Sequence, residues 1–537
     1  MPCTTILVGK KASYDGSTLV ARNCDSSSGC YTPENLKVVE PADQPRQYKS
    51  VLSHVEIELP DEPMRYSCVP NALEGEGIWA EAGINAANVA MSATETITSN
   101  ERVLGADPLV ELVAAKGKEG EDGYVPEQPG GIGEEDMVTL VLPYIHSARE
   151  GVERMGALLE RYGTYEMNGV AFSDVDEIWW LETVGGHHWI AKRVPDNAYV
   201  TMPNQLGIDY FDLADAEGER VDHMASADLR AWMAENHLDL TMVREDDLDD
   251  LLGDYLDTVD PEADDAEFSA FVEDVRERML SGDIFNPREA FGTHSDSDHV
   301  YNTPRAWFMQ RCLNPHDGWD GPDAFYTPES DDIPWSRVPE RKVTIEDVKY
   351  ILSSHYQGTE YDPYGRKGTD ATRRAYRPIG INRNGHVAVL QLRPYCAGPF
   401  RGVQWMAFGS NAFNALAPFY ANVSTMPAYL STTTARVSTE SHYWSNRIIA
   451  ALADARFHEN SNAIERYAEG VAAFGHRVLR ETDAEVANLP VEDVPTALER
   501  ANQRMADELQ ARTDEVLGKV LYTTSNAMKN AFSMSDH

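Results

Sequence analysis

The residue types best suited to covalent chemistry lie within the first 25 positions of the chain. Cys3 offers a thiol, Arg22 a permanent cation and Asp25 a carboxylate. A thiol has an intrinsic pKa of about 8.5 and needs a cation or a base beside it to become the reactive thiolate. The three residues therefore predict a nucleophile site, provided that the fold brings the two charges back to the thiol.

A β-hairpin is the element that meets this condition. Residues 4–8 and 17–21 are rich in β-branched and apolar side chains, and Tyr14-Asp15-Gly16 lies between them. The pattern predicts two antiparallel strands, with Gly16 supplying the positive φ that a tight reversal needs. The thiol opens the first strand and the two charged residues close the second, so strand pairing returns them to one edge of a sheet.

The position of Cys3 also predicts how its proton is handled. A cysteine at the start of a chain carries its own base, because a free α-amine titrates at about 8. Met1 and Pro2 precede Cys3, so this mechanism requires cleavage of the Pro2–Cys3 bond. An aminopeptidase can trim both residues, or Cys3 can attack the carbonyl before it. The alternative interpretation of Cys3 is a small buried hydrophobe without chemistry.

These motifs resemble a known family. The opening residues 3–9, the segment Asp15-Gly-Ser-Thr and the element Arg22-Asn-Cys-Asp are similar to those of the bacterial dipeptidase A family. Its members are cysteine-type N-terminal-nucleophile (Ntn) hydrolases, related to secernins and more remotely to penicillin V acylases and bile-salt hydrolases. Further similar strings occur along the chain, namely Trp179-x-x-Glu-Thr, Gly186-His-His-Trp, Pro203-Asn-Gln and Arg305-Ala-Trp.

The resemblance implies further site residues. Asn204, in the Pro-Asn-Gln context, matches a family Asn that suits an oxyanion hole or nucleophile positioning, although a turn at a strand end is its alternative interpretation. A superfamily Arg corresponds to Arg305. The superfamily Asn that supplies a second donor aligns near Thr94 and Glu95, so that donor is a backbone amide or Thr94. Thr94, Glu95 and Arg305 are assigned to substrate binding, and Cys3, Arg22, Asp25 and Asn204 to catalysis.

The function implied by the resemblance is hydrolysis of dipeptides through a thioester on the terminal cysteine. Small peptides are then the partners, and no cofactor is required. Two alternatives stay open, an amidase or acylase of the same fold acting on penicillin V or conjugated bile salts, and a non-catalytic secernin-like protein. We also expect a homo-oligomer.

Composition limits the classes of partner and the compartment. The 537 residues include 46 basic and 88 acidic side chains, so the net charge is −42. This charge argues against nucleic acid or an anionic membrane, since either needs a basic surface. No apolar run reaches the length of a membrane span, and no secretion signal opens the chain. Six cysteines without framework spacing are typical of a reducing compartment, so we expect a cytoplasmic protein.

Metal binding is not expected. Glu182, His187 and His188 are the nearest approach to a ligand set, but adjacent histidines on a strand point to opposite faces. Cys24 and Cys30 lack the further Cys or His partners that a zinc site requires. The sequence therefore predicts neither a metal nor another cofactor.

The distribution of strands and helices predicts an α+β fold. Strands occur near both ends of the chain, and residues 168–205 predict a four-stranded antiparallel meander ending near Asn204. Pro108 predicts the first turn of a helix that continues to Ala115. An acidic helical insertion spans 220–295, and 441–537 is mostly helical. We expect residues 1–537 to form one catalytic unit, and the resemblance implies a four-layer αββα Ntn-hydrolase sandwich.

Overall fold

Two antiparallel sheets form the centre of the computed structural model, which describes residues 3–27, 29–240, 242, 248, 252–253 and 265–528. Helices pack around the sheets and are most frequent after residue 428. The α+β class predicted from the sequence is confirmed.

The strands are short, and most carry apolar or β-branched side chains. They are β1 (Thr4–Val8), β2 (Thr18–Asp25), β3 (Lys37–Val39), β4 (Gln47–Lys49), β5 (Glu56–Glu58), β6 (Tyr66–Cys68), β7 (Ala82–Ile84), β8 (Ala90–Thr96), β9 (Asn168–Ser173), β10 (Ile178–Thr183), β11 (Trp189–Arg193), β12 (Tyr199–Met202), β13 (Phe211–Asp212), β14 (His223–Ala225), β15 (Ile284–Phe285), β16 (Ser336–Arg337), β17 (Asn384–Leu392), β18 (Gly402–Phe408) and β19 (Ala417–Tyr420).

The helices include two long C-terminal ones that pack against each other. They are α1 (Glu101–Ala106), α2 (Glu134–Val141), α3 (Ala148–Tyr162), α4 (Leu213–Glu217), α5 (Leu229–Asn236), α6 (Asp265–Ser281), α7 (Pro287–Phe291), α8 (Asp298–Tyr301), α9 (Thr303–Leu313), α10 (Ile345–Leu352), α11 (Ala428–Ser431), α12 (His442–Asp454), α13 (Phe457–Val486) and α14 (Val494–Asn526). Within the described residues, no helix is both long and apolar enough to cross a membrane.

The hairpin at the start of the chain lies in the middle of the larger sheet. Seven strands form this sheet in the order β16-β12-β1-β2-β17-β18-β19, and six form the other in the order β14-β11-β10-β9-β8-β7. Gly16 has φ +83° in the connection between β1 and β2, as predicted for the turn. Every residue of β1 and β2 is buried, because both faces of this sheet are covered.

The predicted four-stranded meander is wrong in its last strand. β9, β10 and β11 pair in succession, but β12 leaves that sheet and pairs with β1 in the other, where Met202 lies opposite Thr5. The residue pattern of β12 fits a strand in either sheet, so local sequence did not decide its partner. The crossing places the chain after β12 next to the start of β1.

The two sheets pack against each other, with helices outside them. Alternate residues of β9 show this arrangement, since Ala171 belongs to the core shared with β1 and β2, whereas Val170 and Phe172 pack with α2 and α3. Gly151 of α3 permits close contact, because a Cβ there would lie 2.4 Å from the Phe172 ring. On the larger sheet, α10 contacts β2 and β17, and α14 contacts β19.

The helix predicted over 108–115 is wrong. Asn100 caps α1 instead, accepting hydrogen bonds from the Arg102 and Val103 backbone N–H groups, and α1 ends before Asp107. Pro108 therefore follows a helix rather than opening one. The region 220–295, predicted to be helical, contains α5, α6 and α7, and its positions 241, 243–247, 249–251 and 254–264 lie outside the described residues. Positions 529–537, at the end of the predicted helical region 441–537, also lie outside them.

Candidate active site

Cys3 lies immediately before β1, between the two strands that flank β1 in the larger sheet. The register that pairs Thr4 with Asn23 continues to place Cys3 opposite Cys24 on β2. Cys3 is fully buried. The predicted hairpin therefore does bring the end of β2 to the thiol, and Met1 and Pro2 lie outside the described residues.

The Arg22 guanidinium lies against the Cys3 thiol. Its Nη2 donates a hydrogen bond to Cys3 Sγ over 3.0 Å. Burial acts to raise the pKa of Cys3, but a hydrogen bond from the Cys24 thiol and the charge of Arg22 outweigh it and lower the pKa to about 7. A substantial thiolate fraction is therefore present near neutral pH, which is the reactive form.

Two buried carboxylates share Arg22 with the thiol. Glu81 Oε2 accepts from Nη2 at 2.6 Å and Glu134 Oε1 at 3.4 Å, and both side chains are at most 2% exposed. Neither residue was predicted from the sequence. Glu81 precedes β7 in an otherwise apolar stretch and Glu134 opens α2, so an acidic residue next to buried strand or helix positions was the available signal.

A second guanidinium joins Cys3 to Asn204. Arg305 Nη1 donates to the Cys3 carbonyl oxygen and, at 2.7 Å, to Thr4 Oγ1, while Nη2 donates to Asn204 Oδ1 at 2.7 Å. Nη2 also donates to Asn302 Oδ1 at 2.9 Å. Asn204 reaches this place because β12 pairs with β1. Arg305 and Asn204, predicted from separate parts of the chain, thus meet at Cys3.

The Asp25 carboxylate is bound by groups that the sequence analysis missed. Arg377 Nη2 and Asn384 Nδ2 both donate to it, and the side chain is fully buried. Successive side chains alternate across a strand, so Asp25 projects to the face of β2 opposite to Arg22. The hairpin therefore places Arg22 at the Cys3 thiol, whereas Asp25 forms an ion pair at the end of the same strand.

The backbone of the two predicted substrate-binding residues on β8 is described, but their side chains are not. Thr94 and Glu95 lie at an irregularity in the pairing of β8 with β9. Just before them, the Ala93 N–H donates to the Glu81 carbonyl oxygen at 3.0 Å. This part of β8 therefore runs beside the residue that binds Arg22, and the roles of the Thr94 and Glu95 side chains stay predictions.

One set of metal-ligand side chains lies beside the thiol. Cys24, Glu34 and His386 are buried, and one ligand atom from each lies within 4.8 Å of the others. His386 Nδ1 is 2.8 Å from Glu34 Oε2, and its Nε2 has no partner among the described residues. A thiol, an imidazole and a carboxylate suit zinc. Spacing along the chain did not reveal this set, because β17 supplies His386 from far along the sequence.

The reasoning that excluded a metal at His187 and His188 is wrong in its geometry. Both residues lie in the turn before β11 rather than on a strand, and both Nδ1 atoms contact the Asp107 carboxylate, at 3.0 and 2.8 Å. Glu182 has other partners, since its Oε1 accepts from Trp180 Nε1 and the Gly207 N–H. The two histidines and Asp107 form one hydrogen-bonded group, with Glu182 bound elsewhere.

Substitution of Cys24 by alanine is expected to raise the pKa of Cys3, because the variant lacks the thiol donor that stabilises the thiolate. Alkylation of Cys3 by iodoacetamide follows the thiolate fraction, so its rate profile should move to higher pH by about one unit. Peptide mapping by mass spectrometry measures the rate at Cys3 alone. Cys68→Ala, which removes a buried cysteine of β6, is the control, and the same shift in both variants would contradict the assigned hydrogen bond.

Known peptidases are similar to this chain over most or all of its length. The model of peptidase family C69 matches residues 2–470. The chain is 56% identical to a dipeptidase of Bifidobacterium longum (strain NCC 2705), with 100% of both chains covered. It is 50% identical to a probable dipeptidase A of Streptococcus pyogenes serotype M3 (strain SSI-1), again over 100% of both chains, and 42% identical to dipeptidase A of Lactobacillus helveticus, over 99% of each.

Proposed function

The chain belongs to peptidase family C69, and from this premise we propose that it is a dipeptidase that forms a thioester on Cys3. The observation that carries the proposal is the hydrogen bond from Arg22 Nη2 to the Cys3 sulfur, 3.0 Å long, which with Cys24 lowers the pKa of Cys3 to about 7. A thiolate is thus available to attack a carbonyl near neutral pH.

Formation of the thioester needs a base for the thiol proton and a hydrogen-bond donor for the oxyanion. Removal of Met1 and Pro2 frees the α-amine of Cys3, which takes the thiol proton and passes it to the leaving amine of the substrate. Asn204 faces the developing oxyanion. Its Nδ2 carries two N–H donors, and one of them is used by the Thr96 carbonyl oxygen at 2.9 Å. The other N–H is the proposed oxyanion donor, and water then hydrolyses the thioester.

The other predicted residues hold this arrangement in place. Arg305 fixes Asn204 and the main chain of Cys3 through its hydrogen bonds to both. Asp25 follows Cys24 at the end of β2, next to the start of β1. We propose that its carboxylate binds the α-ammonium group of Cys3. Thr94 and Glu95 are assigned to substrate binding, because the backbone of Ala93 just before them runs beside Glu81.

We further propose that the chain is an Ntn hydrolase with four αββα layers and that 1–537 acts as one catalytic unit. The two facing sheets support this, with α2 and α3 outside one and α10 outside the other. In this proposal 220–295 is a helical insertion and 441–537 a helical C-terminal region. The protein is proposed to mature by loss of Met1-Pro2 and to work in the cytoplasm as a homo-oligomer, and its six free cysteines fit a reducing compartment.

A substrate panel tests the proposed activity. Dipeptides, penicillin V and a conjugated bile salt are incubated with the same enzyme, and released amino acid or amine is measured. We expect turnover of dipeptides that exceeds that of the other two classes by a wide margin. Preferential hydrolysis of penicillin V or the bile salt would identify an amidase instead, and no turnover with an unreactive Cys3 would identify a non-catalytic protein.

Dipeptide hydrolysis is expected to survive EDTA and to be lost on treatment with iodoacetamide. The proposed reaction runs through a thiolate, and none of its steps uses a metal ion. Activity is measured after dialysis against the chelator and, separately, after alkylation. Loss of activity with EDTA and recovery with zinc would contradict this, and His386→Asn would then show whether Cys24, Glu34 and His386 hold the ion.

A further inference from the structure

Three carboxylates lie together around Arg22. One guanidinium nitrogen binds the carboxylates of both Glu81 and Glu134. A third carboxylate lies close by, because Glu166 Oε1 accepts from the Glu134 backbone N–H at 2.8 Å. Carboxylates that lie this close together repel one another, so the group favours the entry of a cation.

Glu81 has one carboxylate oxygen that receives no hydrogen bond from the part of the chain that the structure describes. Its Oε1 is buried and has no hydrogen-bond partner among the described residues, although Oε2 binds Arg22. Burial raises the pKa of Glu81 well above its usual range, Arg22 opposes the shift, and the neighbouring Glu134 adds to it. A buried carboxylate with a free oxygen beside the nucleophile is a suitable acceptor for a positively charged ligand group.

Distances from the nucleophile show which ligand group fits. Cys3 Sγ and both carboxylates bind the same Arg22 nitrogen, so the carboxylate oxygens lie within about 6 Å of the sulfur. In a dipeptide the α-nitrogen is two bonds, about 2.5 Å, from the carbonyl carbon that the thiolate attacks. A dipeptide placed for attack therefore has its α-ammonium in the range of Glu81 and Glu134.

We propose that Glu81 and Glu134 bind the α-ammonium of the substrate and restrict the enzyme to peptides with a free amino terminus. This inference rests on the proposed dipeptidase activity. An N-blocked peptide brings no positive charge to the carboxylates and offers no charged donor to the free oxygen of Glu81. An ammonium group instead supplies hydrogen-bond donors to them and balances their charge.

The test compares two substrates in two variants. The substrates are one dipeptide with a free α-amine and its N-acetyl derivative. The measured quantity is the kcat/KM of the free dipeptide divided by that of the N-acetyl derivative. In Glu81→Gln and Glu134→Gln the ratio should fall by at least about 30-fold, because only the free peptide loses a charged partner. Glu135→Gln is the matched control, since Glu135 binds the Val51 and Leu52 N–H groups instead of Arg22.

An equal fall for both substrates would overturn the proposal, because the carboxylates would then serve Arg22 or the α-amine of Cys3. Absence of dipeptide hydrolysis in the unaltered enzyme is a separate result and would refute the dipeptidase activity itself. A measurement on the unaltered enzyme covers the case in which the variants fail to fold. Alaninol, which has an amine but no carbonyl to attack, should inhibit at least about 30-fold better than N-acetylalaninol, and equal inhibition would overturn the proposal.

Discussion

Replacement of Cys3 by alanine is expected to reduce dipeptide turnover by at least about 10⁴-fold, since the proposed acyl intermediate forms on its sulfur. Cys3 is buried at the start of β1, and its sulfur is the acceptor of the Arg22 hydrogen bond. The alanine variant removes the sulfur and leaves the strand pairing unchanged. Initial rates on a dipeptide panel measure the loss, and circular dichroism shows that the fold is kept.

Two comparisons make the result specific to the nucleophile. Cys30→Ala removes an exposed thiol from the same part of the chain and should leave the rate unchanged. Cys3→Ser keeps a nucleophilic oxygen but loses the low pKa of the thiol, so its rate should lie close to that of the alanine variant. Normal turnover by folded Cys3→Ala would show that the reaction does not pass through this residue.

The local part of the site was predictable from the sequence. β1 and β2 are neighbours along the chain and pair directly, so the sequence sufficed to place Arg22 near Cys3, although the connection between them is longer than a tight turn. The resemblance supplied Asn204 and Arg305, and these two residues contact each other beside Cys3. Short motifs of this kind specify the residue types and the local backbone conformation, which is why these residues could be named from the sequence.

The rest of the site depends on contacts between distant segments. Glu81 and Glu134 reach Arg22 from two separate elements, and β17 supplies His386 beside Cys24. Pairing partners of this kind are chosen by the packed sheets, and periodicity along one segment carries no information about them. For the same reason the crossing of β12 to the larger sheet was missed, although it is what places Asn204.

Activity is expected only in chains that begin at Cys3. With Met1 and Pro2 attached, the Cys3 nitrogen is part of an amide, which cannot accept a proton near neutral pH. Loss of a general base of this kind typically costs about 10²- to 10⁴-fold in rate. Intact-mass spectrometry of active enzyme should therefore show that both residues are absent, and the specific activity of partly processed samples should follow the processed fraction.

The role of the α-amine as base can be tested separately from the thiol with two preparations whose amino termini are known. One preparation is cleaved from a removable fusion so that it begins with Cys3, and a second is the same chain with its α-amine acetylated. Both keep the thiol and Arg22, so alkylation of Cys3 by iodoacetamide should occur in both, while dipeptide turnover should be confined to the free amine. Full activity with Met1 and Pro2 quantitatively retained would refute the α-amine as the base. The thiol proton would then have to pass to a side chain on the thiol's own face of β2, such as Glu81 or Glu134, which share Arg22 with the sulfur.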